Sequence, residues 1–447
     1  MRLKEIRTHK LFGIFDHAIP LNMDDRITII HGPNGYGKTA VLRLIAGVFT
    51  PQYGVLRELP FDRLELCMYN GSVLTVTADG FKDDANRDHI VFDFPPNEPF
   101  DLSRQHKSSI RTINKGDLET FIPGLERVGV NEWFSLQTGE TMDFEGVLDR
   151  FTDELPFRTR KKLEYPIWLT ELQESLDVHF IRANRLELNR AHRTSKSRQS
   201  EWISVVARFA DELAGLIRST LATYAELSQS LDRSFPHRLV VASNGSSHSP
   251  EAIRGKLNQL EQQRKNLVDA GLLDHDQQPD VQIPAAEIEE TKWDVLSVYV
   301  SDVEKKLAVF SDLYAKIDLF RSILNRKFQY KSVAVNKHEG IVFRTEDGKQ
   351  LPPSSLSSGE QHEVVLLYQL LFKVKRDSLI LIDEPELSLH VAWQKQFLRD
   401  LSQITALANF DALIATHSPQ IISDRWDDLT VELRGPKECE STSMSMT

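Results

Sequence analysis

The chain has 447 residues, 40% hydrophobic and 27% charged, an ordinary globular composition that suits one large domain with an insertion or two to three domains. Its formal net charge of −11 argues against a generally sticky nucleic-acid binder, and its two cysteines, Cys67 and Cys439, exclude a disulfide framework or a Cys-rich zinc site within one chain. No apolar run approaches the roughly 18–20 residues of a bilayer span. The N-terminus also lacks the apolar stretch of a signal peptide, so a cytoplasmic protein without membrane contact is expected.

In chain order, Ile27–Ile30 is a short β-branched run that reads as a buried strand. A glycine-rich loop follows, and Ala40–Ala46 reads as a helix. The runs Leu64–Tyr69 and Val73–Thr77 flank Asn70-Gly71, a dipeptide suited to a type I′ hairpin. Leu176–Ile181 is a further strand. From about 200 to 328 the pattern is helical: Leu296, Val300, Val303, Leu307, Phe310, Tyr314 and Ile317 form a heptad-like seam. A shorter helix carries Ile253, Leu257, Leu260 and Leu267, so the two form an antiparallel hairpin or an ordinary amphipathic pair on the main domain. Hairpin-like strands at Ser332–Val335 and Gly340–Arg344 precede a helix, the strand Leu379–Ile382, another helix and the strand Ala412–Ala415. Strands alternating with helices at both ends, joined across a helical insert, predict one α/β domain built from residues 1–200 and 329–447, with 201–328 as the insertion.

Four motifs carry chemistry. The first, Gly32-Pro33-Asn34-Gly35-Tyr36-Gly37-Lys38-Thr39, has P-loop spacing and lies between a predicted strand and a predicted helix. Such a loop presents successive backbone N–H groups and a helix N-terminus to phosphates, with Lys38 on the β- and γ-phosphates and the Thr39 hydroxyl on Mg2+. The second is Leu379-Ile380-Leu381-Ile382-Asp383-Glu384-Pro385, a buried strand whose C-terminal edge delivers two carboxylates. Asp383 is placed to hold Mg2+, and Glu384 to orient and deprotonate the attacking water. The third, Leu356-Ser357-Ser358-Gly359-Glu360-Gln361, opens a helix with small residues and exposed N–H groups. Alone it is a common loop sequence, but its place shortly before the acidic strand is informative. The fourth is His417, just past the strand Ala412–Ala415. A lone histidine there is more often structural; the other three motifs reverse that preference toward a γ-phosphate contact.

All four motifs, in this order, resemble the ABC ATPases, and in detail their SMC-like and OLD-like branch. The resemblance implies an α/β, ABC-type P-loop NTPase head with an antiparallel β lobe and a helical, short coiled-coil-like insertion, using ATP and Mg2+. It implies that Ser357, Ser358, Gly359 and Glu360 of one copy close over ATP held by the P-loop of another, a head-to-tail dimer open to higher oligomers. Glu386–His390 takes the place of the D-loop, with His390 where many relatives have aspartate. Asn184 takes the place of the Q-loop glutamine, with a shorter reach. The wording of the C-terminal motifs resembles compact bacterial anti-phage defence ATPases, the AriA type of PARIS systems first and the PtuA type of Septu second. That implies a sensor or regulatory subunit answering a phage protein trigger and controlling a separate nuclease effector, toprim-like or HNH-type. Long coiled-coil arms and a cysteine hook are absent, and the tail after His417 is short for a toprim domain. The alternative is an SMC-like repair or recombination ATPase acting directly on DNA, with binding that depends on Arg190, Arg193 and Lys196; the basic run Arg182, Arg185, Arg190, Arg193, Lys196 and Arg198 that holds them reads equally well as a solvated loop.

Overall fold

The computed structural model describes residues 1–50, 53–78, 89–102, 118–122, 125–129, 132–135, 141–143, 147, 151, 165–182, 205–242, 250–274, 290–422 and 426–435. The chain divides into two compact units, one formed by Met1–Arg198 with Val374–Thr447 and the other by Gln199–Lys373.

The first unit contains strands β1 (Leu3–Leu11), β2 (Phe15–Pro20), β3 (Ile27–His31), β4 (Arg63–Met68), β5 (Val73–Ala78), β6 (Ile90–Asp93), β7 (Phe100–Asp101), β8 (Leu125–Arg127), β9 (Glu132–Ser135), β10 (Thr141–Asp143) and β11 (Val178–Ile181). The other unit holds β12 (Lys331–Asn336), β13 (Gly340–Thr345) and β14 (Gln350–Leu351), after which the first resumes with β15 (Leu379–Asp383), β16 (Asp411–Ala415) and β17 (Thr430–Glu432).

The central sheet of the first unit has the order β11-β15-β16-β3-β17, with every neighbour parallel. Parallel strands are covered on both faces and therefore read as unbroken apolar runs. Leu379–Asp383 and Asp411–Ala415 are buried at every position, which is why the sequence shows no alternation there. Helix α1 (Lys38–Phe49) follows β3 and buries Val41, Leu42, Leu44, Ile45 and Val48. The β lobe is an antiparallel sheet of order β2-β1-β4-β5-β6-β7, whose strands alternate buried and solvent-facing side chains. The turn between β4 and β5 differs from the expected type I′, which needs positive φ at both central residues. Gly71 has φ 88°, Asn70 is not left-handed, and the Asn70 side chain instead accepts from the Ser72 N–H at 3.1 Å.

The second unit contains α2 (Val205–Ala242), α3 (Pro250–Asp269), α4 (Glu290–Ala308), α5 (Ser311–Lys327), the hairpin sheet β12-β13-β14 and α6 (Ser358–Tyr368). Gly340, with φ +67°, lets the hairpin approach α2: a Cβ there would stand 1.8 Å from the Ala210 carbonyl oxygen. The stacked pair Phe209 and Tyr368, with ring centroids 4.3 Å apart, joins α2 to α6.

One expectation about the helices needs correction. The seam from Leu296 to Ile317 is not one coiled-coil helix, because the chain breaks between α4 and α5 at Val309-Phe310. Phe310 is fully buried at that break, 5.2 Å from the Tyr224 ring, so the apolar period runs through the turn. The compact unit Gln199–Lys373 takes in the hairpin sheet and α6, which pack on the helices that precede them.

Candidate functional site

The parallel sheet carries the candidate site at the C-terminal ends of its strands, where open α/β sheets bind ligands. Register explains the convergence. Asp383 pairs with Ala415, and Ala415 with Ile30, so the acidic turn, the His417 loop and the P-loop leave three adjacent strands at one level. The Glu384 N–H donates to the Ala415 carbonyl at 2.8 Å and the Thr416 N–H to that of Ile30 at 3.2 Å, which extends the pairing beyond the strands.

The loop Gly32–Gly37 bridges β3 and α1, with Pro33, Asn34 and Gly35 exposed. Gly35 and Gly37 have φ 85° and 86°, conformations that favour glycine. Gly37 is also crowded, since a Cβ there would lie 2.5 Å from the Leu11 side chain. Tyr36 packs on Phe15 with centroids 5.2 Å apart, and its carbonyl accepts from His17 Nε2 at 2.9 Å. Burial lowers the His17 pKa, which favours the neutral ring that this single bond needs.

Lys38 is buried, and its ammonium donates to the Gly32 and Pro33 carbonyls at 2.7 and 3.0 Å and to His417 Nδ1 at 3.2 Å. Burial pushes its pKa down, against the opposing pull of Glu384, Asp383 and Glu386. His417 Nε2 lies 3.4 Å from Glu384 Oε1. With Lys38 donating to Nδ1, the neutral Nε2–H tautomer fits both contacts. The Thr39 hydroxyl donates to Asp383 Oδ1 at 2.8 Å. Burial raises the Asp383 pKa, with Glu384 and Glu386 adding to it and the Thr39 bond opposing it. A hydroxyl and a carboxylate oxygen so paired are hard ligands of the kind Mg2+ takes alongside phosphate oxygens, and a divalent cation would relieve the charge that burial disfavours. Thr39 and Asp383 offer two protein donors, a set that fits an ion shared with a phosphate ligand.

Glu384 itself has φ 42° and ψ 61°. Left-handed backbone is rare for a residue with a side chain and is further disfavoured before proline, here Pro385.

The Leu356–Gln361 segment belongs to the second unit. Ser357 caps α6 with a reciprocal capping box: its hydroxyl accepts from the Glu360 N–H at 3.3 Å, and Glu360 Oε2 accepts from the Ser357 N–H at 2.7 Å. Lys331 Nζ reaches both Glu360 oxygens, at 2.8 and 3.0 Å. Burial alone would raise the Glu360 pKa, but the bonds from Lys331 and Ser357 outweigh it and hold the carboxyl below its usual range. Ser357 and Ser358 remain exposed and Gly359 half-buried.

The structure thus brings together Gly32–Thr39, Asp383, Glu384 and His417. Asn184 and the basic residues Arg185, Arg190, Arg193, Lys196 and Arg198 lie outside the described residues. His390 caps the short helix Val391–Gln394, accepting from the Ala392 N–H at 3.3 Å. Sequence reasoning missed His17, for which the signal was a histidine on the inward face of β2.

Fold and site define a P-loop nucleotide-binding protein with an acidic strand end opposite the phosphate loop. The chain belongs to the AAA ATPase domain family AAA_15, whose model matches residues 1–422. It is an ATP-binding ATPase at that general level. Over 69 residues, 15% of the chain, it is 39% identical to protein ea59 of Escherichia phage lambda, and the match spans 13% of that protein's length. Among solved structures it is similar to an Smc head domain with an extended coiled coil bound to the C-terminal domain of ScpA, from Pyrococcus furiosus. That likeness has 13% identity, 97% and 94% of the two chains covered and a TM-score of 0.35. It is also similar to an SMC head domain from Thermotoga maritima, with 12% identity, 97% and 94% covered and a TM-score of 0.33. Among the described residues no helix is long and apolar enough to cross a membrane.

Proposed function

We propose that this chain hydrolyses ATP at an ABC-type site, completed by the Leu356–Glu360 segment of a second copy. The observation that supports this reading is the convergence of Lys38, the Thr39–Asp383 pair, Glu384 and His417 from separate stretches of chain within hydrogen-bond or ion-pair reach. In this reading the backbone of Gly32–Thr39 cradles the phosphates, and Lys38 exchanges its carbonyl partners for phosphate oxygens. Bound Mg2+ supplies charge neutralisation on the phosphates, held through Thr39 and Asp383. Glu384 orients the attacking water and takes its proton, while His417 hydrogen-bonds the terminal phosphate. Ser357 to Glu360 present the start of α6 to the nucleotide of the partner copy, and Asn184 serves as the Q-loop amide.

Beyond the chemistry, the proposed role is a sensor or regulatory subunit of an anti-phage defence complex that holds or releases a separate nuclease. The support is the wording of the motifs from Leu356 to Ser418. The test is to purify Glu384→Gln from its host with ATP and with ADP and identify what accompanies it. A nuclease-like protein recovered in one nucleotide state only is the expected result. Nucleic acid without a protein partner in both states would replace this role with direct action on DNA. Turnover by Glu384→Gln is expected to fall by about 10²–10⁴-fold with ATP binding kept; undiminished turnover would remove Glu384 from its role.

A further inference from the structure

The turn after β15 carries one carboxylate to which the four motifs give no task. Glu386 Oε1 accepts three hydrogen bonds: from the Thr416 hydroxyl at 2.7 Å, the His417 N–H at 2.7 Å and the Ser418 N–H at 3.1 Å. All three donors belong to the loop that leaves β16 and bears His417. A second tie runs alongside. Ser418 Oγ donates to Gln394 Oε1 at 3.0 Å, and Gln394 Nε2 donates to the carbonyls of Glu386 and Leu389 at 3.3 and 3.2 Å. Two consecutive backbone N–H groups on one carboxylate oxygen form a charge-assisted clamp, roughly twice as strong as neutral bonds. The clamp grips the backbone of His417 and leaves its imidazole to meet Lys38 and Glu384.

We infer that Glu386 is a positioning residue for hydrolysis, fixing the His417 loop so that the imidazole meets Lys38 through one nitrogen and Glu384 through the other. This rests on the reading of His417 as the group that contacts the terminal phosphate. The two glutamates flanking Pro385 then have separate tasks: Glu384 acts on water, and Glu386 acts on the protein. Glu386 Oε2 is buried and has no hydrogen-bond partner among the described residues, so the clamp works through one oxygen. Glutamine keeps an acceptor oxygen at that place, whereas alanine leaves three donors unsatisfied.

Steady-state ATP hydrolysis by the full chain tests this with Glu386→Ala, Glu386→Gln, His417→Ala and the double variant Glu386→Ala/His417→Ala. Glu386→Ala should lower kcat by about 10- to 100-fold with KM for ATP within about twofold, because the loosened imidazole acts in the transition state rather than in ATP binding. Glu386→Gln should recover most of that activity. The double variant should match His417→Ala within about twofold, since residues acting through one another are non-additive. Thr416→Val removes one of the three bonds and covers the case in which Glu386→Ala does not fold; it should lower kcat by about threefold. Multiplicative losses in the double variant, or an unchanged kcat in both Glu386→Ala and Thr416→Val, would overturn the inference while leaving the site reading intact. Full turnover by His417→Ala would overturn the His417 role and the inference with it.

Discussion

At the scale of single residues, the acidic strand end stores strain at the group proposed to act on water. Glu384 is held at φ 42° in front of Pro385 by the bond of its N–H to Ala415. Non-glycine left-handed conformations of this kind cost about 1–3 kcal/mol and persist where the surroundings over-determine them. Glycine relieves that strain but adds about 0.5–1 kcal/mol of unfolded-state entropy. Glu384→Gly should therefore raise the unfolding free energy by about 1 kcal/mol while lowering ATP turnover by at least about 100-fold. Urea titration beside a phosphate-release assay measures both. A lowered unfolding midpoint would show that the left-handed backbone carries no strain at this position. The sequence displays the identity of this residue but not its φ. Asp383-Glu384-Pro385 reads as an acidic strand end, and nothing in the letters says that the chain must turn left-handed to aim the second carboxylate.

Elements were legible where burial and local spacing alone define them. The strands Leu379–Asp383 and Asp411–Ala415 are continuous apolar runs because both faces are covered, and the P-loop follows its strand directly. The helix start at Ser357 was read from its small residues, whereas its capping box with Glu360 emerges only from the structure. Periodicity failed at Phe310, because it records which side chains face inward and not whether the helix continues. Pairings between distant residues were not legible at all. Arg2 and Arg26 donate to Asp411 at the start of β16 across 409 and 385 positions. The buried ion pair between Lys327 at the end of α5 and Glu363 on α6 is of the same kind: both side chains are about 1% exposed, and neither residue belongs to a motif. Removing one member of such a pair leaves an uncompensated buried charge, at a cost of about 3–5 kcal/mol. Lys327→Met should destabilise by about that amount, whereas Lys327→Met with Glu363→Leu should fall within about 1 kcal/mol of the parent or above it. Equal destabilisation by the single and double variants, followed by urea unfolding, would show that shape rather than charge secures α6.

For the whole molecule, the division into two compact units bears on how a complete site is assembled. Lys38, Thr39, Asp383, Glu384 and His417 belong to the unit made from the two chain ends, while Ser357 and its capping box belong to the unit of Gln199–Lys373. If the Ser357 segment serves the nucleotide of another copy, each site in a head-to-tail dimer takes its P-loop from one chain and its capped helix from the other. Two defective chains then complement each other. On this proposal Lys38→Ala and Ser357→Arg should each be inactive alone, since one removes the ammonium proposed to bind phosphate and the other fills the helix start proposed to face it. In a mixed dimer one site collects both defects and the second collects none. An equimolar mixture that exchanges freely should thus recover about a quarter of parental ATPase activity: half the dimers are mixed, each with one of two sites intact. A site completed within one chain allows no such rescue, because every chain in the mixture still carries its own defect. An inactive mixture, with exchange verified by mass labelling, would therefore place Ser357 in the same site as its own Lys38 and remove the reason for a head-to-tail dimer.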